Sequence, residues 1–295
     1  MPLDLRQRLS EFSYGYGVTR EVQTCLETVG LRTVPFLPSL IHEAEIGCDV
    51  HFGKPGIPLL LQFKLGHELK QYRRSDLSKP APKLNRPFWR FEVDTSEEDG
   101  QYDLLLKAEQ GGAEVYYIAP RFADWDDYAA AFQDTEVLER SLLMKPSEID
   151  RKLRAEAEPD GLHKIVYDKA RVYVCSEPRR VDETRAEQFA TSLRTKLQGR
   201  EEPISHSIRR VFENFGARRD IRRESREQPK PSEGQSLSSF QTESIGRTAE
   251  QIFRERRQRL DSIRRRSKTE NDAIFSAVGV ETWAAGSQLI AVTVD

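Results

Sequence analysis

A chain of 295 residues is long enough for one large domain or two small ones around a buried core, and a content of 37% hydrophobic and 32% charged residues leaves part of it for solvated helix or linker. The formal net charge of −2 argues neither for nor against a polyanionic partner, so the clustering of charge matters more than its sum. Three widely spaced cysteines, Cys25, Cys48 and Cys175, exclude a disulfide framework and a cysteine metal site, and no apolar run approaches the roughly 18 residues of a membrane span, so a cytoplasmic protein with no membrane association is expected.

The first periodic segment runs from Tyr16 to Val29. Val18, Val22, Cys25, Leu26 and Val29 recur at helical spacing, Gly30 closes the helix, and Glu21 lies on the flank of the apolar stripe. Leu31 to Leu37 reads as a short strand. The loop from Pro38 to Glu45 carries His42, Glu43 and Glu45. Two strand-like runs follow, Gly47–Phe52 and Ile57–Leu65, separated by the Gly53-Lys54-Pro55-Gly56 turn, and a β-hairpin is the expected result. Alternation puts Leu60, Gln62 and Lys64 on one face of the second run and Leu59, Leu61, Phe63 and Leu65 on the other. The second of these faces reads as pure core. On the first, an amide and an ammonium leave an otherwise apolar strand, and Asp49 on the neighbouring strand is the candidate partner. A carboxylate, an amide oxygen and a lysine converging at one end of a hairpin can hold a hard divalent cation and a water. The plainer alternative is a hairpin whose Lys64 extends its stem to solvent and whose Asp49 serves as a turn or ion-pair residue. His51 shares the strand face of Asp49 and could act as a general base, although a histidine near a strand end is more often simply half exposed.

Beyond the hairpin, Gly66 to Pro87 is polar and basic, with Lys70, Arg73 and Arg74 nearest to the Lys64 strand; such a loop suits a phosphate backbone and equally suits solvent. Phe88 to Val93 alternates as a strand. Thr95 or Ser96 caps a helix with Tyr102, Leu105, Leu106 and Ala108 on its apolar face, ended by Gly111-Gly112. Ala113 to Ala119 is a strand, and a helix with Trp125, Tyr128, Ala129 and Phe132 on one face comes next. Residues 139–149 give no clear pattern. His163–Asp168 and Arg171–Ser176 form a second hairpin expected to extend the sheet. From Asp182 the chain turns helical, with amphipathic helices around Phe189 and Val211, a polar linker over 216–246, and a net basic helix from Thr248 to Lys268 that could bind nucleic acid or an acidic partner. The tail Gln288–Val294 is strand-like and could pair with a sheet edge in the same chain or in a partner.

Asp49, twelve intervening residues, then Gln62-x-Lys64 on a hairpin resembles the PD-(D/E)xK nuclease superfamily, in the Mrr-like branch where Gln replaces the second acid. The resemblance spans about the first 120 to 180 residues and rests on few positions. It implies a restriction-endonuclease-like α/β fold, a mixed sheet flanked by helices over residues 1–180, followed by a helical region over 181–215, a linker over 216–246, and a basic helix and strand-like tail over 247–295. The activity it implies is Mg²⁺-dependent (or Mn²⁺-dependent) hydrolysis of DNA phosphodiesters, of the kind used in bacterial defence against foreign DNA. Asp49 and Gln62 would be metal ligands, the Phe63 carbonyl a backbone ligand, Glu21 or Glu45 a supplementary acid, and Lys64 the lysine that orients water. Gln in place of an acid lowers the site's charge and favours one metal over two. DNA, a protein partner bound through the C-terminal helices, and a second copy of the chain are the partners this implies. The competing reading is a catalytically silent nuclease-fold scaffold or a nucleic-acid-binding subunit.

Overall fold

The computed structural model describes residues 9–36, 50–72, 81–96, 100–155, 160–175, 177–226 and 249–294. These fold as an α/β protein with two sheets. The first is mixed, in the order β1 (Leu31–Pro35), β10 (Ser287–Val294), β2 (Gly56–Phe63), β5 (Glu114–Pro120), β6 (Ser141–Met144). Only β2 and β5 run parallel; the other neighbours are antiparallel. The second sheet is antiparallel throughout, in the order β3 (His67–Leu69), β4 (Phe88–Asp94), β7 (Leu162–Tyr167), β8 (Val172–Cys175), β9 (Pro178–Val181).

The expected hairpin between the Asp49 and Lys64 segments does not form. The neighbours of β2 are β10 and β5, and His51 lies outside any strand. Val50 and Phe52 find burial elsewhere: Phe52 packs edge-on against Phe275, ring centroids 6.0 Å apart. The C-terminal tail takes the place the hairpin partner was expected to fill. It is not an edge strand but sits between β1 and β2, opposite Leu31–Pro35 on one side and Gly56–Gln62 on the other. The β7–β8 hairpin forms as the alternation suggests, yet it extends the second sheet, and the strand over 88–94 belongs there as well.

Central placement explains why every residue of β2 is buried. Leu59, Leu61 and Phe63 meet α1 (Glu11–Thr28) and share a cluster with α3 (Trp125–Asp134) and α5 (Ala186–Leu197), through Tyr14, Val18, Val22, Tyr128, Phe189 and Leu193. Leu60 faces a second cluster built from α2 (Gln101–Gln110), α4 (Pro146–Ala155), α6 (Ile204–Arg226), α8 (Glu270–Ala284) and the inner face of the second sheet, including Trp89, Phe91 and Tyr167. Both faces of β2 are therefore core, whereas the sequence suggested one. Elements after residue 180 pack in the same two clusters as those before it. α6 continues as helix through Arg226, past the start of the expected linker, and α7 (Ala249–Arg266) packs on α8.

Two contacts fix the registers that matter for the site. α1 crosses β2 at Gly15, where a Cβ would stand 2.8 Å from the Phe63 ring, so only glycine lets the helix lie this close. Arg121, at the end of β5, donates to the carbonyls of Ser141 (2.6 Å) and Asp168 (3.1 Å) and pairs with Glu183, tying the first sheet to the β7–β8 turn and to the approach to α5.

Glu202, just before α6, is held by Arg210 and by Arg200 (2.7 Å). The hydrogen bond from Arg210, opposed by partial burial and helped by Arg200, holds its carboxyl down at about 2, against an ordinary 4.5. A depressed carboxylate contributes stability above its unfolded value and loses it as pH falls toward the folded one. Thermal melts between neutral pH and pH about 2 are expected to show Glu202→Gln losing part of the acid-limb destabilisation of the wild type. The difference should be roughly 1 kcal/mol or less, because the pair faces solvent.

Candidate functional site

The strongest convergence of polar side chains around the sequence-predicted residues lies at the carboxyl end of β2. Gln62 is opposite Ser287, the first residue of β10, and is almost fully buried. Its amide donates to the carbonyls of Phe63 (3.1 Å) and Gly286 (3.0 Å), and its oxygen accepts from the Ser287 hydroxyl (2.5 Å). This satisfies a polar group that would otherwise cost about 1–3 kcal/mol to bury. Gly286, between α8 and β10, has φ of +79°, the left-handed conformation that favours glycine.

A Cβ at Gly286 would lie 3.4 Å from Gln62 Nε2, 3.5 Å from Gln101 Nε2 and 3.9 Å from Glu11 Oε1, so these side chains surround one hollow in the backbone. Gln101, in the first turn of α2, donates to the Ala285 carbonyl (2.6 Å). Glu11 opens α1 directly after the Ser10 cap, whose hydroxyl accepts from Ser13 N, and an acid there is favoured by the positive end of the helix. Lys64, just beyond the strand end, donates its backbone N–H to Ile118 O (2.9 Å) and is half-buried.

Lys64 and Glu11 act on each other electrostatically. Burial lowers the Lys64 pKa from 10.5, and the Glu11 charge opposes the shift. Although Glu11 is exposed as a residue, burial of its carboxylate raises its pKa above 4.5, and Lys64 opposes that shift. Burial thus disfavours the charged form of each group, and the opposite charge of the other partly offsets that.

Glu21 does not join this group. It is buried on α1 and accepts from the backbone N–H groups of Val137 (3.0 Å) and Leu138 (2.7 Å), capping the turn that leads into β6. Its position on the apolar flank was legible, but the periodicity did not disclose that its partners are backbone amides. Glu11, Gln101 and Gly286 lie outside the sequence-derived set: apolar periodicity starts the helix at Tyr16, whereas α1 starts at Glu11 behind the Ser10 cap, the one local signal for it. Lys70 is exposed just past β3, and His51 is exposed before β2. Asp49, Glu45, Glu43, His42, Arg73 and Arg74 lie outside the described residues.

A Glu11 carboxylate oxygen borders the hollow, and the Phe63 carbonyl and the Gln62 amide oxygen lie nearby, hydrogen-bonded to Gln62 Nε2 and the Ser287 hydroxyl; all are hard donors of the kind Mg²⁺ takes. The carbonyl and the amide oxygen already accept one hydrogen bond each and retain a second lone pair. A single carboxylate is a low charge for a dication, and no group of three or more His, Cys, Asp or Glu side chains comes together among the described residues. No helix among the described residues is long and apolar enough to cross a membrane. No family model matches the chain, and no curated protein or solved structure matches it either.

Proposed function

We propose that the chain is a metal-dependent DNA endonuclease whose reaction site lies at the carboxyl end of β2, with Lys64 and Glu11 as its working side chains. The observation that carries this reading is the gathering of Glu11, Gln62 and Gln101 around the Gly286 hollow, with Lys64 within electrostatic reach of Glu11. An acid from the first helix, an amide and a lysine at a strand end are the groups that phosphodiester hydrolysis needs. Glu11, the Phe63 carbonyl and the Gln62 oxygen, with Asp49, would hold the Mg²⁺. When bound, the metal supplies Lewis acidity and lowers the pKa of a coordinated water. Lys64, as the ammonium, orients the attacking water and offsets the negative charge that develops on the phosphate. Glu11 keeps Lys64 protonated against the pull of burial. Gln62 fixes the α8–β10 turn through Gly286 and Ser287, holding the hollow open.

The test is cleavage of plasmid and linear duplex DNA with Mg²⁺ or Mn²⁺ by the wild type, Asp49→Ala and Lys64→Met. Activity in the wild type with a loss of roughly 10²-fold or more in both variants supports the reading. Lys64 adds a pH signature. Since the ammonium is the active form, activity falls as pH rises through its pKa, and that limb lies below 10.5 because burial lowers it. Residual activity of Glu11→Gln should show the alkaline limb at still lower pH, because the charge that raises the Lys64 pKa is gone. An unmoved limb would break the assignment of the pair.

A second reading is favoured by one specific observation. Every hydrogen-bonding atom of the Gln62 amide has a partner within the fold. A glutamine so engaged suits a silent scaffold that keeps the sheet and binds nucleic acid without cutting it. Wild-type protein that binds DNA and cleaves none with either metal supports this alternative.

A further inference from the structure

Residues 257–268 hold Arg257, Arg259, Arg264, Arg265, Arg266 and Lys268 against one acid, Asp261, a net charge of +5 in a chain that carries −2 overall. All six cations are exposed, and none is held in an ion pair among the described residues. At 100° per residue, Arg259 and Arg266 lie on one side of the buried Ile263 and Arg257 and Arg264 on the other, with Arg265 opposite it. Guanidinium groups therefore line this end of α7 on three sides, and only the stripe of Ile263 and half-buried Leu260 turns inward.

The composition of that surface selects the partner. A protein interface is anchored by apolar or aromatic residues at its centre, and no large apolar side chain is exposed between 257 and 268. A membrane-surface helix needs an apolar face turned outward, and here that face is spent on packing. What is left is a dense set of planar forks that match phosphate oxygens two at a time. We propose that the exposed side of α7 binds the phosphate backbone of duplex nucleic acid without reading its sequence.

Position strengthens the proposal. The chain passes from Arg266 through Lys268 into α8, whose other end is the Gly286 turn beside Gln62. Fifteen helical residues measure about 22 Å, or roughly six base-pair steps at ~3.4 Å. A duplex held at the start of α8 can thus reach the carboxyl end of β2. The surface goes beyond the proposed nuclease site and does not depend on it, since binding needs no chemistry at Lys64.

The experiment uses the full-length chain and fluorescence anisotropy with a labelled duplex of about two helical turns and mixed sequence, without divalent metal. Titration from about 50 to about 200 mM salt is expected to show a steep loss of affinity, with a log–log slope near −0.9 for each phosphate neutralised. The triple variant Arg257→Gln, Arg264→Gln, Arg265→Gln should bind roughly tenfold or more weakly and flatten the slope by about 2 to 3, while triple substitution to Lys at the same positions keeps the slope. Equal affinity and slope in the Gln variant would overturn the proposal, as would no binding by the wild type at low salt. Displacement of the duplex by poly-glutamate at matched charge concentration would also overturn it, in favour of an acidic protein partner. The assay holds no divalent metal and reads binding alone, so it is separate from the nuclease reading: a wild type that cleaves no DNA with Mg²⁺ leaves the expected affinities and slopes unchanged.

Discussion

Deletion of residues 287–295 is expected to leave no folded protein. On its face this is a nine-residue trim at a chain end, the kind of change that a surface tail tolerates. Here the tail is β10, which separates β1 from β2 and pairs with both. Leu289, Ile290 and Val292 are fully buried, at roughly 1.5–3 kcal/mol each, so their loss alone is about 5–9 kcal/mol, comparable to the roughly 5–15 kcal/mol that holds a typical domain together. The ladder hydrogen bonds on both sides go with them, and so does the Ser287 hydroxyl that satisfies Gln62. The exposed edge of β2, with Leu59, Leu60 and Leu61 in a row, would then be an aggregation template. Far-UV circular dichroism, thermal melting and size exclusion check this. A truncated chain that is monomeric and melts cooperatively within a few degrees of the wild type would show that β10 is dispensable, contrary to its place in the sheet.

The position of β10 also marks the limit of what the sequence discloses. Its strand character was legible, because Leu289 to Val294 is apolar and β-branched. Its place was not, because nothing local in a strand says which two partners, more than two hundred residues upstream, will close on it. The hairpin error is the same problem in reverse. A Gly/Pro turn beside two alternating runs is a valid local signal, and it lost to long-range pairing of β2 with β10 and β5, while Val50 and Phe52 were buried by other means. α8 escaped notice because Ala273 to Ala284 is apolar on nearly every side; buried Phe275, Val278 and Thr282 share the helix with exposed Trp283, and no stripe stands out. At the site, alternation places Gln62 and Lys64 on one face of the strand end; Gln62 lines the Gly286 hollow, and Lys64 feels the charge of Glu11, which also borders it. Alternation could not reveal that the Gln62 amide would be engaged by Gly286 and Ser287, nor which of Glu11 and Glu21, two of the three acids on α1, would border the hollow.

Those two acids give the sharpest separation of roles in the molecule. Glu11 and Glu21 lie on the same helix in different surroundings: Glu21 accepts two buried backbone N–H groups, and Glu11 borders the Gly286 hollow. Glu21→Ala is expected to destabilise the fold by about 2–5 kcal/mol, because it strands the buried N–H groups of Val137 and Leu138 at roughly 1–3 kcal/mol each. Wherever the variant remains folded, its cleavage rate should stay near that of the wild type, since nothing connects Glu21 to Lys64. Glu11→Gln should do the reverse. It removes a charge from an exposed residue in the first helical turn, a change worth about 0.3–1 kcal/mol through the helix dipole, so the melting temperature should hardly move. Cleavage should fall by roughly 10²-fold or more, because the site loses its carboxylate for the metal and the anion that keeps Lys64 protonated. Paired melts and cleavage rates on the two variants read out both effects at once. If Glu11→Gln cuts DNA at the wild-type rate, the hollow beside Gly286 is not the reaction site, whatever the wild type is found to cleave. If Glu21→Ala alone loses activity while melting normally, the acid that matters is the one on the helix flank, and the two backbone hydrogen bonds to Glu21 do not describe its working state.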